Sequence, residues 1–132
     1  MVQIAMQIRK AAEDYLEAML ILQEKKGYIR SVEVAQYLGV TKPSVSYATK
    51  HLKESGHITM DPAGRISLTE TGMAVAAKML ERHRTLTQFL MALGVDQQTA
   101  EADACKMEHD ISQKTFDAMR RYGREHLRVP PL

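Results

Sequence analysis

Two groups of side chains carrying the donor atoms that divalent metal ions prefer occur at helical spacing in this sequence. Near the N-terminus two carboxylates lie three residues apart, and in the C-terminal half a cysteine, a glutamate and a histidine follow at i, i+3 and i+4. Residues three and four apart share one face of an α-helix, so each group can direct its donors at one point. A further histidine lies midway along a long segment of helical periodicity. The candidate metal ligands are Asp14, Glu17, His83, Cys105, Glu108 and His109.

This donor set comprises one thiolate, three carboxylates and two imidazoles from three predicted helices, enough for one six-coordinate site or two smaller sites. The four ionised acidic groups carry a charge of −4, which two divalent ions would offset. Without metal these groups repel one another, so metal binding would draw the first helix onto the second half of the chain. The donor set therefore predicts a metal-dependent switch. Taken alone, Cys105 also fits simple packing or a reactive thiol.

A second group of polar and basic residues lies in a segment with the pattern of a helix-turn-helix. A short helix over Ser31–Leu38, with Ser31 as its cap and Gly39 as its stop, leads through a tight connection into a helix over Lys42–Glu54. Two short helices joined by a turn containing glycine are typical of this motif, whose second helix enters the major groove of DNA. The candidate DNA-binding residues are Ser31, Thr41, Lys42, Pro43, Ser44, Ser46, Tyr47, Lys50 and, on the segment that follows, Arg65.

A β-hairpin is predicted directly after this motif. Two short runs with alternating apolar residues, His57–Met60 and Arg65–Leu68, flank a turn-forming tip at Asp61–Gly64. A helix-turn-helix followed by a hairpin indicates a winged helix, in which the hairpin packs beside the second helix and reaches the nucleic-acid backbone. The partner that this arrangement predicts is an operator in double-stranded DNA.

The other segments have the periodicity of helices. They are Ile8–Glu24, Thr69–Ala92 with Thr69 as its cap and Gly72 tolerated near its start, Gln97–Ser112 capped by Asp96, and Thr115–Tyr122. We therefore expect a mainly α protein. An N-terminal winged helix-turn-helix with a small β-hairpin wing occupies residues 1–70, and an all-helical dimerisation and metal-binding domain occupies residues 71–132.

The second domain carries more apolar residues than a core of its size can bury. Leu86, Phe89, Leu90 and Leu93 are the residues that we expect at an interface between two copies of the chain. The sequence therefore predicts a homodimer.

Composition limits the class of protein. The chain has 132 residues, 45% hydrophobic and 26% charged, with a net charge of +2. This excludes a disordered or collagen-like chain. Residues 96–110 hold five acidic residues and one basic residue, a net of −4, whereas residues 114–128 hold five basic and two acidic residues, a net of +3. No apolar run approaches the roughly 20 residues of a membrane-spanning helix, and residues 1–10 lack the apolar centre of a signal peptide, so we expect a cytoplasmic protein without membrane contact.

The order and spacing of these motifs resemble the diphtheria-toxin-repressor family, and within it the short manganese-responsive branch. The matching pieces are Glu13-Asp14-Tyr15-Leu16-Glu17, Pro43-Ser44-Val45-Ser46, Leu68-Thr69, Arg82-His83 with Gln88-Phe89-Leu90, and Cys105-x-x-Glu108-His109. The resemblance implies metal ligands on three helices, a winged-helix DNA reader and a dimer interface in the second half. It implies a repressor of metal-uptake genes that requires Fe²⁺ or Mn²⁺.

The ligand positions combine features of two branches of that family. The manganese branch has glutamate where this chain has Cys105, and the iron branch has methionine where this chain has Asp14. A thiolate favours softer metals and carboxylates favour Mn²⁺, so the site is a hybrid that leans towards iron, and Zn²⁺ or Co²⁺ can bind in vitro. Glu101 and Thr87 stand where the iron branch has the ligands of its ancillary site. The ancillary site therefore cannot simply be transferred to this chain, and Glu101 remains a further candidate ligand.

Two other functions compete with this interpretation. One is a metal-independent winged-helix repressor that senses a small ligand or the redox state through Cys105. The other is a small metallohydrolase with the same ligands, although the sequence has no evident pocket-building sheet, nucleophile or glycine-rich loop.

Overall fold

A computed structural model describes the backbone of residues 2–129 and the side chains of residues 9–129. The elements, in chain order, are α1 (Val2–Lys26), β1 (Ile29–Arg30), α2 (Ser31–Leu38), α3 (Lys42–Glu54), β2 (Ile58–Met60), β3 (Arg65–Leu68), α4 (Glu70–Ala92), α5 (Gln97–Met107) and α6 (Gln113–His126). The chain divides into two compact units, one up to Ala77 and the other from Lys78. Within the described range, no helix is long and apolar enough to cross a membrane. The domain boundary predicted between residues 70 and 71 stays a prediction.

The helix-turn-helix is confirmed as α2 and α3 of the first unit. Gly39 ends α2 in the left-handed region (φ 67°), and its N–H donates to the carbonyl of Ala35. Thr41 caps α3, since its Oγ1 accepts from the Ser44 N–H at 3.3 Å. The expected Ser31 cap is wrong, because Ser31 is already the first helical residue. Arg30 holds the cap position without a side-chain hydrogen bond to the helix, and its backbone is extended because it belongs to β1.

The predicted hairpin is confirmed and lies in a three-stranded antiparallel sheet with the order β1-β3-β2. In β3, Ile66 is paired with Ile29 of β1 on one side and with Met60 of β2 on the other. At the tip, the Asp61 carboxylate accepts from the Arg65 N–H at 2.8 Å, which closes the turn. β1 was not predicted from the sequence, because a strand of two residues is too short to show an alternating pattern.

The start of α4 is joined tightly to the turn between α3 and β2. Thr69 caps α4 as predicted, accepting from the Gly72 N–H at 3.1 Å, and its hydroxyl also donates to the carbonyl of Gly56 at 2.7 Å. A Cβ at Gly72 would overlap the carbonyl oxygen of His57. Glycine is therefore required at this position rather than merely tolerated.

The second unit is built around a small apolar core. Leu86 of α4, Ala104 of α5 and Phe116 of α6 are fully buried together. Leu86 is thus a core residue in this structure, and its assignment to a dimer interface is wrong. Phe89 and Leu90 are half-buried, and Leu93 is 57% exposed.

The helix predicted over Gln97–Ser112 ends earlier than expected, and the last helix, predicted over Thr115–Tyr122, extends further at both ends. α5 ends at Met107, and α6 begins at Gln113 with Ser112 as its cap, whose Oγ accepts from the Thr115 N–H at 3.1 Å. A serine followed by a good helix-forming segment favours a new N-terminus over continuation of the preceding helix. The break places Glu108 and His109 in the connection rather than within a helix.

Candidate metal centre

Glu108 is the central residue of a ligand cluster in the second unit. Glu108 directly follows α5 and is 0% exposed. One carboxylate oxygen, Oε2, lies 3.0 Å from Nδ1 of His83 on α4. The other, Oε1, lies 3.4 Å from Nε2 of His109, the next residue in the chain. The buried carboxylate therefore meets an imidazole at each oxygen.

Cys105 lies one turn before Glu108 on α5. Its sulfur is within 4.8 Å of a carboxylate oxygen of Glu108, and the residue is exposed. A single ion with ligand distances of about 2.0–2.3 Å can bridge donors at this separation. The predicted helical spacing thus brings the thiol and the carboxylate to one place.

The donor chemistry of this cluster fits a divalent ion. His83, Glu108 and His109 provide two imidazoles and a carboxylate, the ligands used by iron, manganese and zinc sites in proteins. Burial of a carboxylate is costly unless positive charge lies close to it, and a bound metal ion would supply such a charge.

The two N-terminal candidates belong to the first unit. Asp14 is half-buried and Glu17 is buried on α1, three residues apart and therefore on one helix face. Glu101 is exposed on α5 and accepts a hydrogen bond from Gln97 at 3.1 Å. The roles of these three residues as ligands stay predictions.

Arg82 is a residue of this region that the sequence analysis did not identify as functional. It is buried on α4 next to His83, and its Nη1 donates to the main-chain carbonyl of Glu108 at 2.9 Å. The burial of a single arginine cannot be predicted from the periodicity of a sequence. The residue whose carbonyl Arg82 contacts, Glu108, lies 26 positions further along the chain. Only the position of Arg82 beside a candidate histidine could have drawn attention to it.

The candidate DNA-binding side chains of α3 face away from the core of the first unit. Val45, Thr49 and Leu52 are buried on the opposite face. Tyr47 is 69% exposed, and its ring packs edge-on against His51 with the centroids 4.3 Å apart. The other exposed candidates in this region are Thr41, Lys42, Pro43, Ser44, Ser46 and Lys50.

Some of these polar groups already serve the fold. The hydroxyls of Thr41 and Ser44 lie 2.8 Å apart at the helix cap, so each keeps only part of its hydrogen-bonding capacity for a ligand. Ser31 is half-buried at the start of α2, whereas Arg65 is exposed at the start of β3.

Arg30 is a second residue that the sequence analysis missed. From β1, its Nη1 donates to the carbonyl of Ala63 at the hairpin tip, at 3.0 Å. The contact holds the tip against the sheet, and in the strand pairing Arg30 lies opposite Arg65. Its signal was hidden because the strand that carries it was not predicted.

Comparisons with known proteins agree with this arrangement. Residues 7–65 match the family model described as "iron dependent repressor, N-terminal DNA binding domain", and residues 69–128 match "iron dependent repressor, metal binding and dimerisation domain". The transcriptional regulator MntR of Escherichia coli is 37% identical over 118 residues, which cover 89% of this chain and 76% of the relative. MntR of Bacillus subtilis is 31% identical over 105 residues, covering 80% and 74% of the two chains.

Solved structures show the same fold. The manganese regulator SloR has a TM-score of 0.77 at 26% identity, over 90% of this chain and 54% of that chain. A manganese-dependent transcriptional repressor in complex with manganese has a TM-score of 0.78 at 27% identity, over 90% and 53%. This chain thus spans about half the length of these solved relatives. The matches confirm the family resemblance of the motifs and exclude the metallohydrolase alternative, because the relatives are transcriptional regulators. The chain belongs to the iron-dependent repressor family.

Proposed function

We propose that this chain is a transcriptional repressor whose binding to operator DNA depends on a divalent metal ion. The observation that carries the proposal is the fully buried Glu108, with its two carboxylate oxygens 3.0 Å and 3.4 Å from the imidazoles of His83 and His109. This cluster lies in the region that matches the metal-binding and dimerisation model, and the helix-turn-helix lies in the region that matches the DNA-binding model.

The ligand set that we propose extends beyond this cluster. Cys105 adds a thiolate beside Glu108, and Asp14 and Glu17 of α1 add two carboxylates, with Glu101 as a further candidate. When bound, the metal ion supplies the positive charge that these acidic groups need in order to lie together. Because α1 belongs to the DNA-binding half, ligation by its carboxylates would link metal occupancy to the DNA-binding unit.

The cognate metal that we propose is Fe²⁺ or Mn²⁺. Carboxylates such as Asp14 suit Mn²⁺, whereas a thiolate such as Cys105 suits softer ions, and the presence of both places this site between the two preferences. We favour Fe²⁺ on account of the sulfur. Zn²⁺ or Co²⁺ can bind more tightly in vitro, since affinity at nitrogen, oxygen and sulfur sites follows a general order.

The partners that we propose are a palindromic DNA operator upstream of metal-uptake genes and a second copy of this chain. A dimer would present two α3 helices to successive major grooves. Tyr47 and Ser44 would contact base edges, whereas Lys50 and Arg65 would contact phosphates. Apolar residues at the end of α4 and directly after it, Phe89, Leu90 and Leu93, would form part of the dimer interface. We propose action in the cytoplasm and a functional boundary at residues 70/71, where α4 begins.

The alternative of metal-independent sensing through Cys105 explains less of the structure. It gives no role to the grouping of His83, Glu108 and His109, which costs free energy unless a positive charge compensates the buried carboxylate.

Fluorescence anisotropy with labelled DNA tests the proposal. A duplex enriched from a random pool by the Mn²⁺-loaded protein would be titrated with protein in chelator, in Mn²⁺ and, without oxygen, in Fe²⁺. We expect tight binding only with metal, and loss of this dependence in Glu108→Gln. Glu125→Gln, which removes an exposed carboxylate from α6, is the matched control. Equal affinity in chelator and in excess metal would contradict the proposal.

A further inference from the structure

We infer that Arg82 is a positioning residue for the metal site, which fixes Glu108 through a hydrogen bond to its main chain. The inference deepens the proposed function and rests on it. Arg82 is only 4% exposed, and a buried guanidinium has a high cost unless its donors are satisfied and its charge is compensated. Its place next to His83 therefore calls for a structural reason.

Both terminal nitrogens of Arg82 donate to the connection between α5 and α6 or to the first residue of α6. Nη1 donates to the carbonyls of Glu108 and Ile111, both at 2.9 Å, and Nη2 donates to Oε1 of Gln113 at 3.0 Å. Carbonyls at the end of a helix and just after it accept no hydrogen bond from an N–H of that helix, so they need another donor. The planar guanidinium supplies several donors in a fixed arrangement, so a single side chain defines the path of this connection.

Consecutive residues of α4 thus hold Glu108 at two points. Arg82 holds the main-chain carbonyl, and His83 lies 3.0 Å from the carboxylate. A side chain anchored at both its backbone and its end has few accessible rotamers, so its oxygens stay in place. Partners behind the direct ligands orient them, and their loss typically lowers metal affinity about 10- to 100-fold.

Arg120 of α6 provides an internal comparison. Its guanidinium lies 5.3 Å from the centre of the Phe116 ring, the same distance as that of Arg82. Its guanidinium forms ion pairs with Glu81 and with Asp117. Removal of Arg120 therefore disturbs the same aromatic neighbour but leaves the hydrogen bond to Glu108 in place.

The test uses Co²⁺ as a spectroscopic probe in the full chain. Wild type, Arg82→Met, Arg82→Lys and Arg120→Met would be titrated with Co²⁺, and the visible spectrum would be recorded at saturation. Thermal unfolding without metal measures the folded fraction of each variant. In Arg82→Met we expect Co²⁺ affinity to fall about 10- to 100-fold and the ligand-field bands of the saturated protein to change. In Arg120→Met we expect the wild-type spectrum and an affinity within a few-fold of wild type.

The conservative variant separates positioning from general stability. An ammonium at position 82 can still donate to the Glu108 carbonyl, so Arg82→Lys should recover part of the affinity and a spectrum closer to wild type. If Arg82→Met does not fold, Arg82→Gln takes its place with the same expected loss. A wild-type spectrum in the saturated Arg82→Met or Arg82→Gln protein overturns the inference, since a purely structural role changes the folded fraction and not the coordination.

Operator binding by wild type, measured separately, distinguishes the two proposals. Equal DNA affinity in chelator and in Mn²⁺ or Fe²⁺ would refute the metal-dependent repressor, while the spectra of the Arg82 variants with Co²⁺ would still decide the positioning role. Metal-dependent DNA binding together with unchanged spectra would refute the positioning role alone.

Discussion

At the scale of single residues, Cys105 is the candidate ligand that distinguishes this site from that of the manganese-responsive branch, which has a glutamate at this position. The structure places it one turn from Glu108, with its sulfur within 4.8 Å of the carboxylate, and leaves the residue exposed. A cysteine buried in the apolar core, the main competing explanation, is therefore wrong. Exposure also means that a larger or charged residue at this position can be accommodated without burial of an unpaired charge.

Cys105→Glu should change metal preference and not folding. The exchange replaces a soft sulfur with a hard oxygen, so response to Mn²⁺ should improve relative to Fe²⁺, Co²⁺ and Zn²⁺. Metal titrations followed by operator binding measure the preference, and thermal unfolding without metal should give a melting temperature close to that of wild type. A large loss of stability with an unchanged order of metals would contradict the ligand role.

Lys50→Ala should weaken DNA binding about equally for all sequences. Lys50 is exposed on α3, beyond the first turns that carry Ser44 and Tyr47, so we assign it to the phosphate backbone. The loss of one phosphate contact should lower the slope of log affinity against log salt by about 0.9. Tyr47→Ala is the comparison, because its loss of DNA affinity should depend on which base pair occupies the contacted position. A selective loss for one base pair in Lys50→Ala would refute the assignment.

At the scale of elements, the sequence predicts the helices and their caps better than it predicts where they meet. Thr69 and Asp96 cap the helices for which they were proposed, because capping depends on residues only three positions apart. β1 was missed, and the connection between the last two helices was predicted after Ser112 rather than before it, since strand pairing and competition between caps depend on the rest of the fold.

The candidate metal site shows the same contrast between local patterns, which the sequence predicts, and contacts between elements, which it does not. The spacing of Cys105, Glu108 and His109 was enough to group them, because it is a local property of one helix and the residues after it. Arg82 was missed because its acceptors, the carbonyls of Glu108 and Ile111, were expected within a helix and lie instead in the connection after it.

The cap of α5 should make its stability depend on pH in the acid range. The Thr99 N–H donates to the Asp96 carboxylate at 3.0 Å, and this bond holds the pKa of Asp96 below its usual value. A carboxyl with a lowered folded-state pKa adds stability above its unfolded-state pKa and loses it as pH falls through the folded-state value. Asp96→Ala should lower the melting temperature at neutral pH, and the difference from wild type should shrink in acid. Asp96→Asn keeps an acceptor for the cap, so it should lose only the pH-dependent part of the stabilisation that the Asp96 cap provides. Thermal unfolding over a pH series would show this.

At the scale of the whole molecule, the family gives the second unit a role in dimerisation as well as in metal binding. The apolar side chains that remain accessible at the end of α4 are consistent with that role. Met91 is 37% exposed and Leu93 is 57% exposed, whereas Leu86 already fills the core of its own unit. An interface would therefore use the last turn of α4 and not the segment around Leu86.

Leu93→Glu should weaken the dimer, because it would place a charge in an apolar contact. Sedimentation velocity at micromolar concentration with metal present should show a dimer for wild type and a shift towards monomer for the variant. Val32→Glu, a similar exchange at an exposed residue of α2 in the first unit, is the control and should remain dimeric. A wild-type monomer under these conditions would refute the proposed dimer.

The contact of Gly72 with the turn before β2 has a consequence for local opening motions. The N–H of Thr69 donates to the His57 carbonyl at 3.0 Å, and the N–H of His57 donates to the Leu52 carbonyl at 2.9 Å, so the end of α3 and the start of α4 share one chain of main-chain hydrogen bonds. Gly72 packs directly against the His57 carbonyl. The first turn of α4 therefore cannot separate from it unless the segment between α3 and β2 also opens. In native-state hydrogen exchange, the amides of His57, Thr69 and Gly72 should therefore exchange through the same opening event, with equal opening free energies and equal dependence on denaturant.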